Sequence, residues 1–186
     1  MLISSGTMSE IDTVRTFYRF NAAERRRYLE TILALPAAER LKDRGASYPS
    51  LQEIYAHVLD ALTFWFELVP QDRAAEAMQL ELPARDLTAE QLREHTAAAE
   101  RRVEAFLAPL RTSDLAREVV CHFPDAGGKP GEAERVLIGD ILWHMVEEEL
   151  QHRGELNALL WQMDVEPPIG TFRLWKESKA DGMYVP

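Results

Sequence analysis

Four stretches of helix length, each with apolar residues recurring every three or four positions, limit the fold more than any other feature of the sequence. They cover about residues 10–35, 50–69, 88–107 and 139–163. Pro36 and Pro70 follow the first two, Ser50 opens the second with a capping box, and residues 25–27, all arginine, fall outside the apolar stripe of the first. Because little of the remaining chain favours strands, the pattern predicts an all-α four-helix bundle of up-down-down-up or similar order.

Shorter segments complete the expected domain. The runs 118–123 and 135–138, separated by a segment rich in glycine and proline, predict a small hairpin before the last helix. The length of 186 residues suits a single domain, 1–186, with residues 1–8 as a frayed start. The C-terminal tail, 164–186, is expected to pack on the bundle through its larger apolar residues, which are Phe172, Leu174, Trp175 and Tyr184.

The charge balance restricts the partners of the chain. It carries 31 acidic residues against 21 lysines and arginines, a formal net charge of −10 at pH 7, and this excess argues against nucleic acid and anionic membranes as partners. No apolar run reaches the roughly 18 residues of a transmembrane helix, and residues 1–8 lack the pattern of a secretory signal. The single cysteine, Cys121, excludes an internal disulfide. A cytoplasmic protein without nucleic-acid or membrane partners is therefore expected.

The last helical stretch carries ionisable residues within its apolar arc. On a helical wheel Glu149 and His152 lie inside the arc and Glu148 lies at its edge. Burial of such groups is unfavourable unless each gains a mutual hydrogen bond, a salt bridge to an arginine or a metal ion. Glu148 and His152 are four residues apart, so both can reach one ion. The second stretch has a broad apolar arc that implies neighbours on two sides, and His57 within this arc offers a third ligand. This set would form a two-histidine, one-carboxylate site with open positions for water or substrate.

Several other residues are candidates for the surroundings of such a site. His144 is an alternative third ligand, although its angle on the wheel favours the rim. Glu149 is expected to hold a ligand histidine or to pair with Arg153 on the same helix. Trp65 and Trp143 are expected in the core or along the wall of a pocket.

Three segments resemble the DinB/YfiT-like family of small metal-binding four-helix bundles, and the resemblance covers nearly the whole chain. They are residues 50–61, residues 137–146 and the element Glu148-x-x-x-His152-Arg153-Gly154. Family members carry one histidine on the second helix and an H-x-x-x-H-R-G element on the last. The resemblance thus implies that His57 and His152 are metal ligands. Glu148 occupies the position where the first histidine of that element usually stands. Members similar to mycothiol-dependent maleylpyruvate isomerases also have a glutamate there.

The resemblance implies a divalent metal ion at His57, Glu148 and His152, with zinc or nickel first and manganese or iron as alternatives. Characterised relatives are similar to S-transferases and isomerases that use low-molecular-weight thiols, and others carry the label of metal-dependent hydrolase. The expected function is transfer or isomerisation of a small-molecule substrate with such a thiol. Metal-dependent hydrolysis and a non-catalytic metal-binding or stress-response module are the alternatives, and a homodimer that pairs through helices is also expected.

Overall fold

The computed structural model describes residues 8–77 and 83–180, which are mainly helical and include one two-stranded sheet. The elements are α1 (Glu10–Ala34), α2 (Ala37–Arg40), α3 (Leu51–Thr63), α4 (Ala89–Leu107), β1 (Glu118–Pro124), β2 (Pro130–Leu137), α5 (Ile138–Trp161) and α6 (Phe172–Ala180). Helices α1, α3, α4 and α5 match the four predicted stretches, and the mostly helical prediction is confirmed. Residues 1–7, predicted as part of a frayed start, lie outside the described residues.

Side-chain caps fix where the long helices begin. The Ser50 hydroxyl oxygen accepts a hydrogen bond from the N–H of Glu53 in the first turn of α3 and donates to the Glu53 carboxylate, so only the hydroxyl half of the predicted capping box is present. At the start of α4, Thr88 and Gln91 each accept a hydrogen bond from the backbone of the other, so both halves of a capping box are present. These bonds satisfy N–H groups that have no partner within the helix, so the first turn is stable at the predicted position.

The second predicted stretch changes its winding before it ends. After α3 the chain continues as a π-helix, Phe64–Leu68, and then as a single 3-10 turn, Val69–Gln71. Pro70 has no backbone N–H, so it cannot continue the helical hydrogen bonds. The wide π turn occupies the part of this stretch that lines the cavity described below, a position in which such turns are often found.

A continuous apolar core draws on all four long helices, and α3 contacts each of the other three. This confirms that the broad apolar arc of α3 has neighbours on more than one side. The most completely buried side chains include Ile32, Leu51, Leu62, Leu92, Met145 and Leu160. Among the described residues, no helix combines the length and apolarity that a bilayer crossing requires.

The predicted hairpin is present, with one correction at its end. Strands β1 and β2 pair antiparallel, and alternate residues of β1, Val119 and Cys121, face the core. Ile138, expected in the second strand, is instead the first residue of α5. Its side chain is buried, and its N–H donates to the carbonyl of Arg117, which joins the new helix to the segment before β1.

The C-terminal segment lies against α1. Trp175 is buried with its ring 5.8 Å from that of Phe20, and the ring of Phe172 lies 5.3 Å from that of Phe17. Leu174 is exposed on the opposite face of α6. Helix α6 itself was absent from the sequence prediction, and Tyr184 lies outside the described residues.

Candidate metal centre

His57 of α3 and Glu148 and His152 of α5 come together at the contact between these two helices. One ligand atom from each residue lies within 4.8 Å of the others. Glu148 Oε1 is 2.8 Å from His57 Nε2 and 3.1 Å from His152 Nε2. Within residues 8–77 and 83–180, no other group of three histidine, cysteine or acidic side chains meets this distance. The structure thus brings together the set that the sequence predicts.

Helical geometry explains this convergence. Residues four apart lie one above the other on a helix, so Glu148 and His152 both point from α5 towards α3. The side chains are partly buried, with exposed fractions of 26% for His57, 20% for Glu148 and 11% for His152. The group is therefore shielded on the protein side while remaining open to small molecules.

His152 is held from its other side as well. Its Nδ1 lies 3.2 Å from Glu155 Oε2, and the Glu155 carboxylate accepts hydrogen bonds from the backbone N–H and hydroxyl of Ser47 at 2.7 and 2.6 Å. Burial alone would raise the pKa of Glu155, but the Ser47 hydrogen bonds and His152 bring it below its ordinary value. The loop before α3 thus fixes a carboxylate that orients His152.

The electrostatics of the group favour a positive charge. Both ring nitrogens of His152 face carboxylate oxygens, and a neutral imidazole has only one N–H to donate. One contact therefore requires either a second proton or a cation at the nitrogen. Burial would raise the pKa of Glu148, but the His57 hydrogen bond and the His152 charge lower it, so the carboxylate is ionised at neutral pH.

An aromatic ring covers part of the group. Tyr48 stacks on His57 with ring centres 4.1 Å apart, and it meets His152 edge-on at 5.8 Å. Sequence reasoning missed Tyr48 and Ser47, because both lie in an irregular segment that helical periodicity does not describe. Glu155 carried a usable signal, since it stands three residues after His152 on the same helix.

A cavity of about 440 Å³ borders His57 and Glu148. It lies between one face of α3 with its π-helix and one face of α4. Most of its walls are apolar, and its polar lining away from the candidate ligands includes Asp60, His95 and Arg102. The volume is within the range of about 300–1,000 Å³ typical of small-molecule sites.

The remaining predicted site residues occupy different positions. Trp65 lines the cavity, and its ring centre is 4.7 Å from that of His144. His144 is exposed and stands outside the three-residue group, at the rim that its wheel angle predicts. Trp143 is 52% exposed on the outer side of α5, so it belongs neither to the core nor to the cavity wall, which corrects its expected placement.

Glu149 belongs to a buried ion pair between α1 and α5. The Arg25 guanidinium donates from Nη1 to Glu149 Oε2, and the two side chains are only 6% and 3% exposed. Burial alone would lower the pKa of Arg25, but Glu149 raises it above its ordinary value. The sequence predicted that Glu149 would hold a ligand histidine or pair with Arg153, and both predictions are wrong because its partner is Arg25. The placement of Arg25 outside the apolar face was also wrong, because α5 covers that flank of α1.

The chain was compared with protein-family models, curated proteins and solved structures. The model of the DinB family matches residues 8–183. None of the curated proteins matches the chain. The fold is similar to the crystal structure of a DinB-like protein from Bacillus subtilis, YjoA, with a TM-score of 0.54 and 16% identity, over 82% of this chain and 96% of that one.

Proposed function

Since the chain belongs to the DinB family, as its motifs predict, we propose that it is a divalent-metal-dependent enzyme that acts on a small molecule. The observation that carries the proposal is the group formed by His57, Glu148 and His152. Two imidazoles and one carboxylate suit zinc, nickel, manganese or iron, and we place zinc and nickel first because nitrogen donors outnumber oxygen.

The donor set fits a cation on physical grounds. Glu148 Oε1 faces Nε2 of both His57 and His152, while Glu155 already occupies the other side of His152. An ion bound by both Nε2 atoms and Glu148 would supply the positive charge that this arrangement requires. Orientation of a ligand histidine through its second nitrogen by a carboxylate is a common feature of metal sites in proteins.

Three protein ligands leave coordination positions open, and this favours chemistry over a structural role. When bound, a divalent ion supplies Lewis acidity that polarises a carbonyl or lowers the pKa of a water or thiol. The chain contributes the rest: Glu155 and Ser47 orient His152, Tyr48 shields the imidazoles, and the apolar cavity walls exclude water from part of a substrate. We place thiol-dependent transfer or isomerisation before hydrolysis, because relatives with a glutamate at the position of Glu148 resemble thiol-dependent isomerases.

Metal analysis of the purified protein tests this function. We expect about one equivalent of divalent metal per chain and loss of most of it in His152→Ala. His122→Ala is the matched control, since the His122 side chain is partly exposed and pairs with Asp72 away from the group. His144→Ala should also retain the metal. A protein without bound metal, or an H152A variant that keeps its metal, would refute the proposal.

A second assay separates the chemical alternatives. The metal-loaded protein is incubated with an electrophile and a panel of low-molecular-weight thiols, and loss of the electrophile is followed. Turnover that requires a thiol supports transfer or isomerisation, whereas equal turnover without thiol assigns hydrolysis. Stoichiometric metal without turnover of any substrate tested would favour the non-catalytic alternative.

We also propose that the chain forms one domain with its long helices in up-down-down-up order. Residues later in α1 contact residues later in α5, as in parallel helices. Tyr18 contacts Leu142, Arg25 contacts Glu149 and Tyr28 contacts Asn157. Contacts between α3 and α4 also advance together, pairing Asp60 with His95 and Glu67 with Arg102. Between α1 and α4 the order reverses, pairing Arg26 with Glu100 and Glu30 with Arg93. These pairings support the proposed order.

For the quaternary structure we propose a homodimer that pairs through α5. Trp143, Leu150 and Trp161 are each about half exposed, and separations of seven and eleven residues place them on one face of the helix. Gly154 lies on the same face, and a Cβ added there would meet no atom within 4 Å. This face therefore offers apolar area and room for the close approach of a second helix.

A further inference from the structure

We infer that the cavity beside the candidate metal centre receives a molecule that carries a carboxylate, and that Arg102 binds this carboxylate. The inference rests on the proposed function for the role of the metal ligands at one end of the cavity. The residues from which it is argued, Arg102 and Glu67, belong to α4 and the π-helix. The substrate class is thus a small organic acid with an apolar body, and Arg102 is the specificity-determining residue.

The layout of the cavity separates two polar ends by an apolar middle. His57 and Glu148 border one end. The π-helix contributes Phe64, Trp65 and Leu68 to the middle. From His57 to Leu68 the chain advances eleven residues, which corresponds to about 16 Å along a helix. The parallel course of α4 places His95 opposite Asp60 and Arg102 opposite Glu67, so Arg102 lies at the end away from the metal ligands.

Arg102 keeps hydrogen-bonding capacity that the protein does not use. Its Nε donates to Glu67 Oε2, and neither Nη1 nor Nη2 has a hydrogen-bond partner within the described part of the chain. The side chain is about one third exposed and lines the cavity. Glu67 thereby fixes the guanidinium plane, and the two free nitrogens present the geometry that suits a carboxylate.

The remaining charges of the cavity favour a singly charged anion. Asp60 is paired with His95, at 2.8 Å between Oδ1 and Nε2, and Glu148 faces two histidines. Among the described residues that line the cavity, Arg102 is the one arginine or lysine, and its unpaired nitrogens are the strongest anion donors there. Asp60 and Glu67 would repel a doubly charged phosphate more than a carboxylate, which is why we assign the latter.

Isothermal titration calorimetry with 3-phenylpropionate and its uncharged amide tests the inference. Both are titrated into zinc-loaded and zinc-free protein, and the zinc content of each sample is measured. We expect the carboxylate to bind about tenfold more tightly than the amide in both forms, because one charge-assisted hydrogen bond contributes about that much to affinity. Arg102→Gln should abolish this preference, whereas Arg102→Lys should keep part of it, because the charge remains but the planar fork is lost.

Arg101→Gln is the matched control, since Arg101 is the exposed neighbour on α4 and does not line the cavity. It should keep the full preference. Equal affinities for the two probes, an R102Q variant that keeps the preference, or no saturable heat from either probe would each overturn the inference. Absence of zinc from the wild-type protein would instead contradict the proposed metal function, while the zinc-free titrations would still decide the role of Arg102.

Discussion

Replacement of Glu155 by glutamine tests how the chain orients its metal ligand. The carboxylate lies 3.2 Å from His152 Nδ1 and is held by two hydrogen bonds from Ser47, so Glu155→Gln keeps the shape and removes the charge. Loss of such an orienting partner typically costs between about tenfold and a hundredfold in metal affinity. The contact is longer than an ideal charge-assisted hydrogen bond and Glu155 is 25% exposed, so we expect about tenfold, or about 1.4 kcal/mol.

The assay is zinc competition against a chromophoric chelator, with thermal unfolding of the metal-free proteins measured in parallel. Glu147→Gln is the matched control, because Glu147 is an exposed glutamate of the same helix that contacts Gln151. The control should bind zinc as the wild type does, and the metal-free unfolding temperatures should agree within about 3 °C. An E155Q protein that binds zinc as tightly as the wild type, while H152A does not, would refute the orienting role of Glu155.

Two further predictions concern the buried ion pair and the exposed face of α5. Glu149→Gln leaves the Arg25 charge buried without its counter-charge, so the free energy of unfolding should fall by about 3–5 kcal/mol and the unfolding temperature by roughly 10 °C. The double variant R25M/E149L should recover much of this loss, and a double variant as unstable as E149Q would contradict the account. Sedimentation should show a dimer in the wild type and a monomer after W143S and W161S are combined; a monomeric wild type would rule the dimer out.

The sequence could predict the helices and the metal ligands because local rules determine both. Apolar spacing and capping side chains fixed the four long helices to within a few residues of their ends. The four-residue spacing of Glu148 and His152 by itself places both side chains on one face of a helix. His57 could be added because the apolar arc of its helix implied neighbours on two sides, one of which is α5.

What the sequence could not predict depends on contacts between distant segments. Arg25 and Glu149 are 124 residues apart, and a helical wheel shows one helix without the element that covers its flank. Ser47 and Tyr48 reach the site from a loop, where no periodicity indicates direction. Ile138 follows residues typical of a strand, and only the hydrogen bond from its N–H to Arg117 shows that the helix begins there.

The adjacent acids Glu148 and Glu149 show how one turn of helix serves both stability and function. Consecutive residues on a helix point about 100° apart, so Glu149 faces α1 while Glu148 faces α3. Arg25 neutralises Glu149 within the core, whereas Glu148 Oε1 faces the Nε2 atoms of His57 and His152. The two roles should therefore separate experimentally. Glu148→Gln should weaken metal binding with little change in the unfolding temperature of the metal-free protein, and Glu149→Gln should do the reverse, because only the latter change strands a buried charge.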